Sequence, residues 1–274
     1  TKQANTPGSY VSKLPAAQPM IMKDPNSKEE QNRVFSYLLK LNSGAPVKAL
    51  MDPKITATVW KDNVQIANEQ NKPGKFTAFC SYEWTSMPGG NNIHRNVIFR
   101  DGKDKADQVL PFSSQQSEDP EKLWEWMARY EQRTGGRLLA IPHNANVSNG
   151  RMFELTDFSG QPLTRDYAER RARWEVLQEV VQVKGNSETH PTLSPIDEFA
   201  GDLGVAGWDL GNLPLLGTLE TPEMRPTMYL RGGLMRGLEL EQKLGVNPYK
   251  FGMIGGSDIH TSLATIEDDN YFGG

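Results

Sequence analysis

The chain has 274 residues, 37% of them hydrophobic and 23% charged, enough for one large domain with a real core. Its formal net charge of −4 argues against a general nucleic-acid or anionic-membrane surface, and no apolar run approaches the roughly 18 residues that span a bilayer. A single cysteine, Cys80, excludes an intramolecular disulfide and a cysteine-rich zinc site, and leaves the compartment unread.

Residues 1–26 are rich in Pro, Ser, Asn and Lys and read as a loop or arm. Ser27, with Glu30 three residues on, opens a helix whose apolar face is Val34, Leu38, Leu39 and Leu41. Asp52-Pro53 opens a second helix, with Ile55, Val59 and Ile66 as its expected buried residues. Phe76 to Ser81 reads as a strand ending at Tyr82-Glu83-Trp84, and Asn92 to Phe99 as a second strand containing His94. Asp119-Pro120 starts a helix in which Leu123, Trp124, Met127 and Tyr130 follow helical spacing, and Gly135-Gly136 stops it. Leu138 to Ile141 is a short strand running into Pro142-His143-Asn144, and Thr164 caps a helix through about Trp174. Val180 to Val183 is a strand, Pro222 to Leu244 a long helix weakened at Gly232-Gly233, and Phe251 to Ile254 a buried last strand. Helices alternating with short apolar strands predict an α/β fold of parallel strands wrapped by helices, as a barrel or an open sheet. Such folds place chemistry at the carboxyl ends of strands, and Glu83, His143, Lys184 and Asp258 each follow the apolar part of a predicted strand.

Gly255-Gly256-Ser257-Asp258-Ile259-His260 carries the sharpest signal. Alternating side chains of an extended segment point the same way, so Asp258 and His260 can both face one cation. A hard oxygen beside an imidazole nitrogen outlines a transition-metal site, and a capping Asp with a structural His is the alternative. The chain has only four histidines, so His94, His143, His190 and His260 are informative by placement. His143 can bind metal with a nearby amide or carbonyl fixing its tautomer, or serve as a hydrogen-bonded loop residue. Glu83 lies between two aromatics, where an unpaired carboxylate is expensive; it meets a metal or an arginine such as Arg95. His94 within a strand is a ligand or a satisfied core histidine. Lys184, Glu188 and His190 form a polar cluster after a strand, able to grip a substrate anion, to act as acid and base, or merely to salt-bridge a loop. Asn144 and Asn146 are candidates for orienting ligands or substrate, with Arg95 as a third polar contact. No phosphate-loop fingerprint and no Gly-x-Ser-x-Gly elbow is present, and Cys80 sits in an apolar run as packing.

These residues, in this order, resemble the PHP (polymerase and histidinol phosphatase) superfamily of metal-dependent phosphoesterases. Glu83, His94, His143, Asp258 and His260 match its Glu, its two successive histidines and its final Asp-x-His. More narrowly, Tyr82 to Ser86, Gly89 to Arg95, Ile141 to Asn144, Lys184 to Pro191 and Asn247 to Gly252 resemble a bacterial PHP-like family described as a domain of unknown function. The likeness covers most of the chain from about residue 30 onward. It implies a distorted (βα)7-type, TIM-like barrel, here incomplete, over residues 27–274. It implies two or three divalent metals (Mn, Zn or Fe) and hydrolysis of phosphate or phosphonate esters by metal-activated water. The partner it implies is a small-molecule anionic ester; a bacterial periplasmic setting is compatible with it. The superfamily also uses an early His-x-His on its first strand, and this chain has no histidine before His94, so an internal segment of a longer protein is expected. Hydrolysis of an amide or sulfate ester, and a non-catalytic binding module with a degenerate metal site, are the alternatives.

Overall fold

The computed structural model describes residues 4–43, 52–200 and 220–258. The described chain divides into two compact units, one of residues 1–80 with 101–111 and one of residues 81–100 with 112–274.

The first unit is helical. The segment expected as a loop or arm carries two 3-10 turns, Val11–Lys13 and Pro15–Met20. Ala4, Val11, Ala17 and Met20 bury one another there, with Leu14, Tyr37, Leu38 and Ile55 packed against them. Helix α1 (Lys28–Ser43) starts where Ser27 Oγ accepts from the Glu30 backbone N–H. The Glu30 carboxylate reaches back to the N–H groups of Lys23 and Asp24 rather than to Ser27, so the cap spans a wider turn than a simple box. The side chains of Leu39 and Leu41 lie outside the described residues. Helix α2 (Pro53–Gln70) is capped by Asp52, whose carboxylate accepts from Lys54 N at 2.9 Å. Its buried residues are Trp60 and Val64, not Val59 and Ile66, which are about half exposed. The Trp60 indole instead donates to the carbonyl of Ala106 in the short helix α3 (Lys103–Ala106), which fixes which stripe of α2 turns inward.

The second unit holds two three-stranded sheets. Strands β1 (Ser81–Trp84), β2 (Arg95–Phe99) and β3 (Leu138–Pro142) form an antiparallel sheet in that order. Strand β4 (Leu177–Gln182) stands between β5 (Gly185–Asn186), antiparallel to it, and β6 (Gly252–Gly255), parallel to it. The expected TIM-like (βα)7 barrel is therefore wrong: among the described residues no sheet closes, and only β4 and β6 pair in parallel. The misreading has a local cause. Helix α4 (Pro120–Thr134) stands between β2 and β3 in the chain, but β3 returns antiparallel to β2, so the intervening helix is not a crossover between parallel strands. The strand expected over 76–81 begins only at Ser81, and Phe76 and Phe79 are exposed. β6 has no buried residue, against the expectation of a buried strand.

The helices of this unit follow their sequence signals. Asp119 caps α4 by accepting from Glu121 N, and Leu123, Trp124, Met127 and Tyr130 are buried along one stripe. Gly135 ends it at φ 64°, a left-handed conformation that glycine adopts without strain. Thr164 caps α5 (Arg165–Trp174) through Tyr167 N. Helix α6 (Leu230–Leu244) starts eight residues later than Pro222, the stretch before it forming turns and a 3-10 turn at Arg225–Thr227. Among the described residues no helix is long and apolar enough to cross a membrane.

Candidate metal centre

Three of the expected metal ligands converge. Glu83 sits inside β1 opposite Asn96 of β2, and Asn96 in turn opposes Ile141 of β3. Alternation puts Glu83, the residue two before Asn96 and the residue two after Ile141 on one face of the sheet. Those residues are His94 and His143, and the His143 N–H extends the ladder to the carbonyl of His94 at 3.3 Å. Glu83 Oε1 lies 2.8 Å from His94 Nδ1 and 3.1 Å from His143 Nε2, and the imidazole planes meet edge-on at 78°. One potential ligand atom from each residue lies within 4.8 Å of the others.

The electrostatics suit a cation. Burial works to raise the Glu83 carboxyl, but hydrogen bonds and charge from His143 and His94 outweigh it and hold it well below the usual carboxylate range. His94 is pushed below its ordinary value by burial, and the pull of Glu83 the other way does not cancel that. A neutral imidazole is the form that ligates. His143 is fully buried, and His143 Nδ1 and His94 Nε2 are buried polar atoms with no partner among the described residues. Neither is the nitrogen that faces Glu83, so a cation beside Glu83 Oε1 would take His94 Nδ1 and His143 Nε2 and would not itself satisfy these two atoms. Two imidazoles and a carboxylate form a borderline N2O donor set, and N···O separations near 3 Å can be spanned by one cation with bonds of about 2.0–2.2 Å. The residues present therefore fit a divalent transition metal.

The remaining expected residues divide. Asp258, at φ 50°, follows β6 and accepts from Gln182 Nε2 at 2.8 Å and from Lys184 Nζ. Burial would raise its carboxyl, but Lys184 outweighs that and lowers it. Its charge is felt at Glu179, whose carboxylate accepts from Asn144 N at 3.4 Å. Asp258 thus stands beside the cluster, while His260 lies outside the described residues. Lys184 is tied to Asp258. Asn144 is fully buried, its Oδ1 accepting from Gln182 Nε2, its Nδ2 unpartnered among the described residues. Asn146 is a scaffold: its amide donates to the Lys184 carbonyl and its Oδ1 accepts from Ser187 Oγ. Glu188 pairs with Arg231, and His190 Nδ1 accepts from Thr192 N beside the Tyr229 ring, so neither joins the Glu83 cluster. Arg95 points to the other face of the sheet, where it pairs with buried Glu175.

Glu179 and Gln182 escape the sequence reading. Glu179 is 5% exposed, and burial, with Asp258 adding to it, pushes its carboxyl up to about 7 against the opposing pull of His143. Gln182 ties Asn144 to Asp258 through one amide nitrogen. Their only signal is polarity at buried positions of a strand: Gln178, Glu179 and Gln182 are the buried residues of β4.

A family model described as a protein of unknown function (DUF3604) matches residues 1–274. No curated protein and no solved structure matches the chain. With the match running over its whole length, the chain belongs to the DUF3604 family.

Proposed function

We propose that Glu83, His94 and His143 hold a divalent metal and that the protein is a metal-dependent hydrolase of small phosphate or phosphonate esters. The observation that carries this reading is the single Glu83 oxygen facing nitrogens of partly exposed His94 and fully buried His143 at 2.8 and 3.1 Å. A divalent cation supplies Lewis acidity toward an anionic ester and activates water. The chain's own groups fit the rest of the task. Asn144 Nδ2 is a buried donor suited to an ester oxygen. Glu179, close to neutrality, can take up or release a proton at its carboxylate. Lys184 keeps Asp258 ionised and placed by direct contact. Lewis acidity does not select the bond; the likeness of Glu83, His94, His143, Asp258 and His260 to the PHP order favours phosphorus esters over amides or sulfates.

The test is metal content per chain after Mn or Zn loading and desalting, for the wild type and His143→Ala, followed by a panel of phosphate, phosphonate, sulfate and amide substrates. Metal kept by the wild type and lost by the variant, with chelator-sensitive phosphoester turnover, is expected. Turnover of amides or sulfates alone overturns the bond assignment. Metal without any turnover makes the chain a binding module, and equal metal retention by both proteins removes His143 from the centre.

A further inference from the structure

The sheet β1–β2–β3 has a second polar locus, on the face away from Glu83. A cavity of about 20 Å³ opens there, its wall including Arg95, Arg151, Glu154, Thr156, Tyr167 and Arg171. Arg95 and Arg171 are 2% and 3% exposed. Both lean on one carboxylate: Arg95 Nε and Arg171 Nε each lie 3.0 Å from an oxygen of Glu175, and the Trp124 indole donates to the same group. Arg151 makes no ion pair among the described residues; its guanidinium lies over the Phe158 ring. Glu154 is the other carboxylate of the locus, near Arg151 and Arg171, and burial raises it. Three guanidiniums against the two carboxylates Glu154 and Glu175 leave one positive charge in surplus. Arg151 and Glu154 are partly exposed, whereas the buried Arg95 and Arg171 share Glu175 as their buried carboxylate; a buried cation is costly without a counter-charge, and arginine forks match planar or tetrahedral oxyanions. The space admits one or two water-sized groups, the size of a carboxylate tip or the leading oxygens of an oxyanion.

We propose that this cavity is an anion site, taking a carboxylate or a tetrahedral oxyanion between Arg151 and the buried pair Arg95 and Arg171. It is separate from the candidate metal centre. The alternation of β2 sends Arg95 and His94 to opposite faces, and no residue of the cluster Glu83, His94 and His143 lines the cavity. The ligand chemistry is an oxygen anion; its source, a free inorganic ion or an organic acid, is what the two arms of the test separate.

The full chain, stripped of metal by chelator and desalted, is titrated with sulfate and, separately, with acetate at constant ionic strength in a calorimeter. Thermal unfolding is recorded alongside. Saturable binding of sulfate, of acetate or of both is expected, with a rise in the unfolding midpoint. Arg151→Gln removes a charge-assisted donor at the cavity wall and should weaken binding about tenfold. Glu154→Gln removes the repelling carboxylate and should tighten it several-fold, a change that a purely structural Glu154 would not produce. Sulfate binding alone assigns an inorganic oxyanion, and acetate binding alone an organic acid. Absence of saturable binding for both anions, or equal affinities in the wild type and both variants, overturns the proposal. Should Arg151→Gln fail to fold, the Glu154→Gln comparison decides.

Discussion

His94 and Arg95 are adjacent in the chain and serve opposite faces of one sheet. His94 turns its Nδ1 to Glu83, and Arg95 turns its Nε to Glu175. The pair separates two roles that lie side by side in sequence. Arg95→Met leaves buried Glu175 with half its guanidinium partners, and a loss of about 3 kcal/mol is expected. His94→Ala removes a partly exposed ring and should cost less than half of that in metal-free protein, while abolishing stable metal retention. Urea unfolding of both variants with chelator present checks this; equal midpoints for the wild type and Arg95→Met would refute the buried network.

Glu83→Gln keeps the shape of the central ligand and removes its charge. Zinc affinity should fall by more than the roughly 10–100-fold that an outer partner is worth, since the oxygen lost lies at the middle of the cluster. Competition with a chromogenic chelator measures it. For the wild type, adding metal to about a hundred times its Kd should stabilise the fold by about 2.7 kcal/mol, reversed by chelator. An unchanged unfolding midpoint on metal addition would count against a site in the folded chain.

Glu179 gives a pH dependence with a definite sign. Its carboxyl is raised from an ordinary 4.5 to about 7, burial being the main cause. Below pH 4.5 both folded and unfolded chains hold the proton, and this group costs nothing. Between about 4.5 and 7 the unfolded chain ionises first, so stability falls as pH rises, by a total on the order of 3 kcal/mol, and then levels off. Glu179→Gln keeps the acceptor for Asn144 N and removes the ionisation. In chelator, its stability relative to the wild type should grow from pH 4.5 to 8; parallel curves would contradict the assignment.

Gly232 reads in sequence as a weak point of α6, where alanine would add about 1 kcal/mol of helix propensity. The structure reverses that expectation. A Cβ at Gly232 would stand 2.2 Å from the Pro226 carbonyl oxygen, a backbone atom that cannot step aside alone. Gly232→Ala should therefore destabilise by about 1–3 kcal/mol. A thermal midpoint at or above that of the wild type would show that the turn before α6 yields freely.

Elements with their own end signals were legible from sequence. Asp119 and Gly135 bracket α4, Thr164 starts α5 and Asp52 starts α2, because capping is settled within a few residues. His143 was placed at a strand end because the apolar run Leu138 to Ile141 stops at Pro142. Strand pairing was not legible: β3, one of the two partners of β2, pairs with it across a stretch of chain that holds a helix, and a helix between two strands does not fix their direction. Apolarity misled at Phe76 and Phe79, which are exposed, and polarity hid Glu179 and Gln182, which hydrogen bonding rather than hydrophobicity keeps inside β4.

The polar site around Glu83 has a built-in chronology. Glu83 and His94 are 11 residues apart, Glu83 and His143 are 60 apart, and Gln182 and Asp258 are 76 apart. Closing the second of these loops costs about 1.5 kcal/mol more chain entropy than closing the first. On a nascent chain emerging from the ribosome, the Glu83–His94 half can form before His143 has been synthesised, and Asp258 arrives last of the four. The local pair is thus available early, and the buried histidine and the last carboxylate join it only when the later chain does.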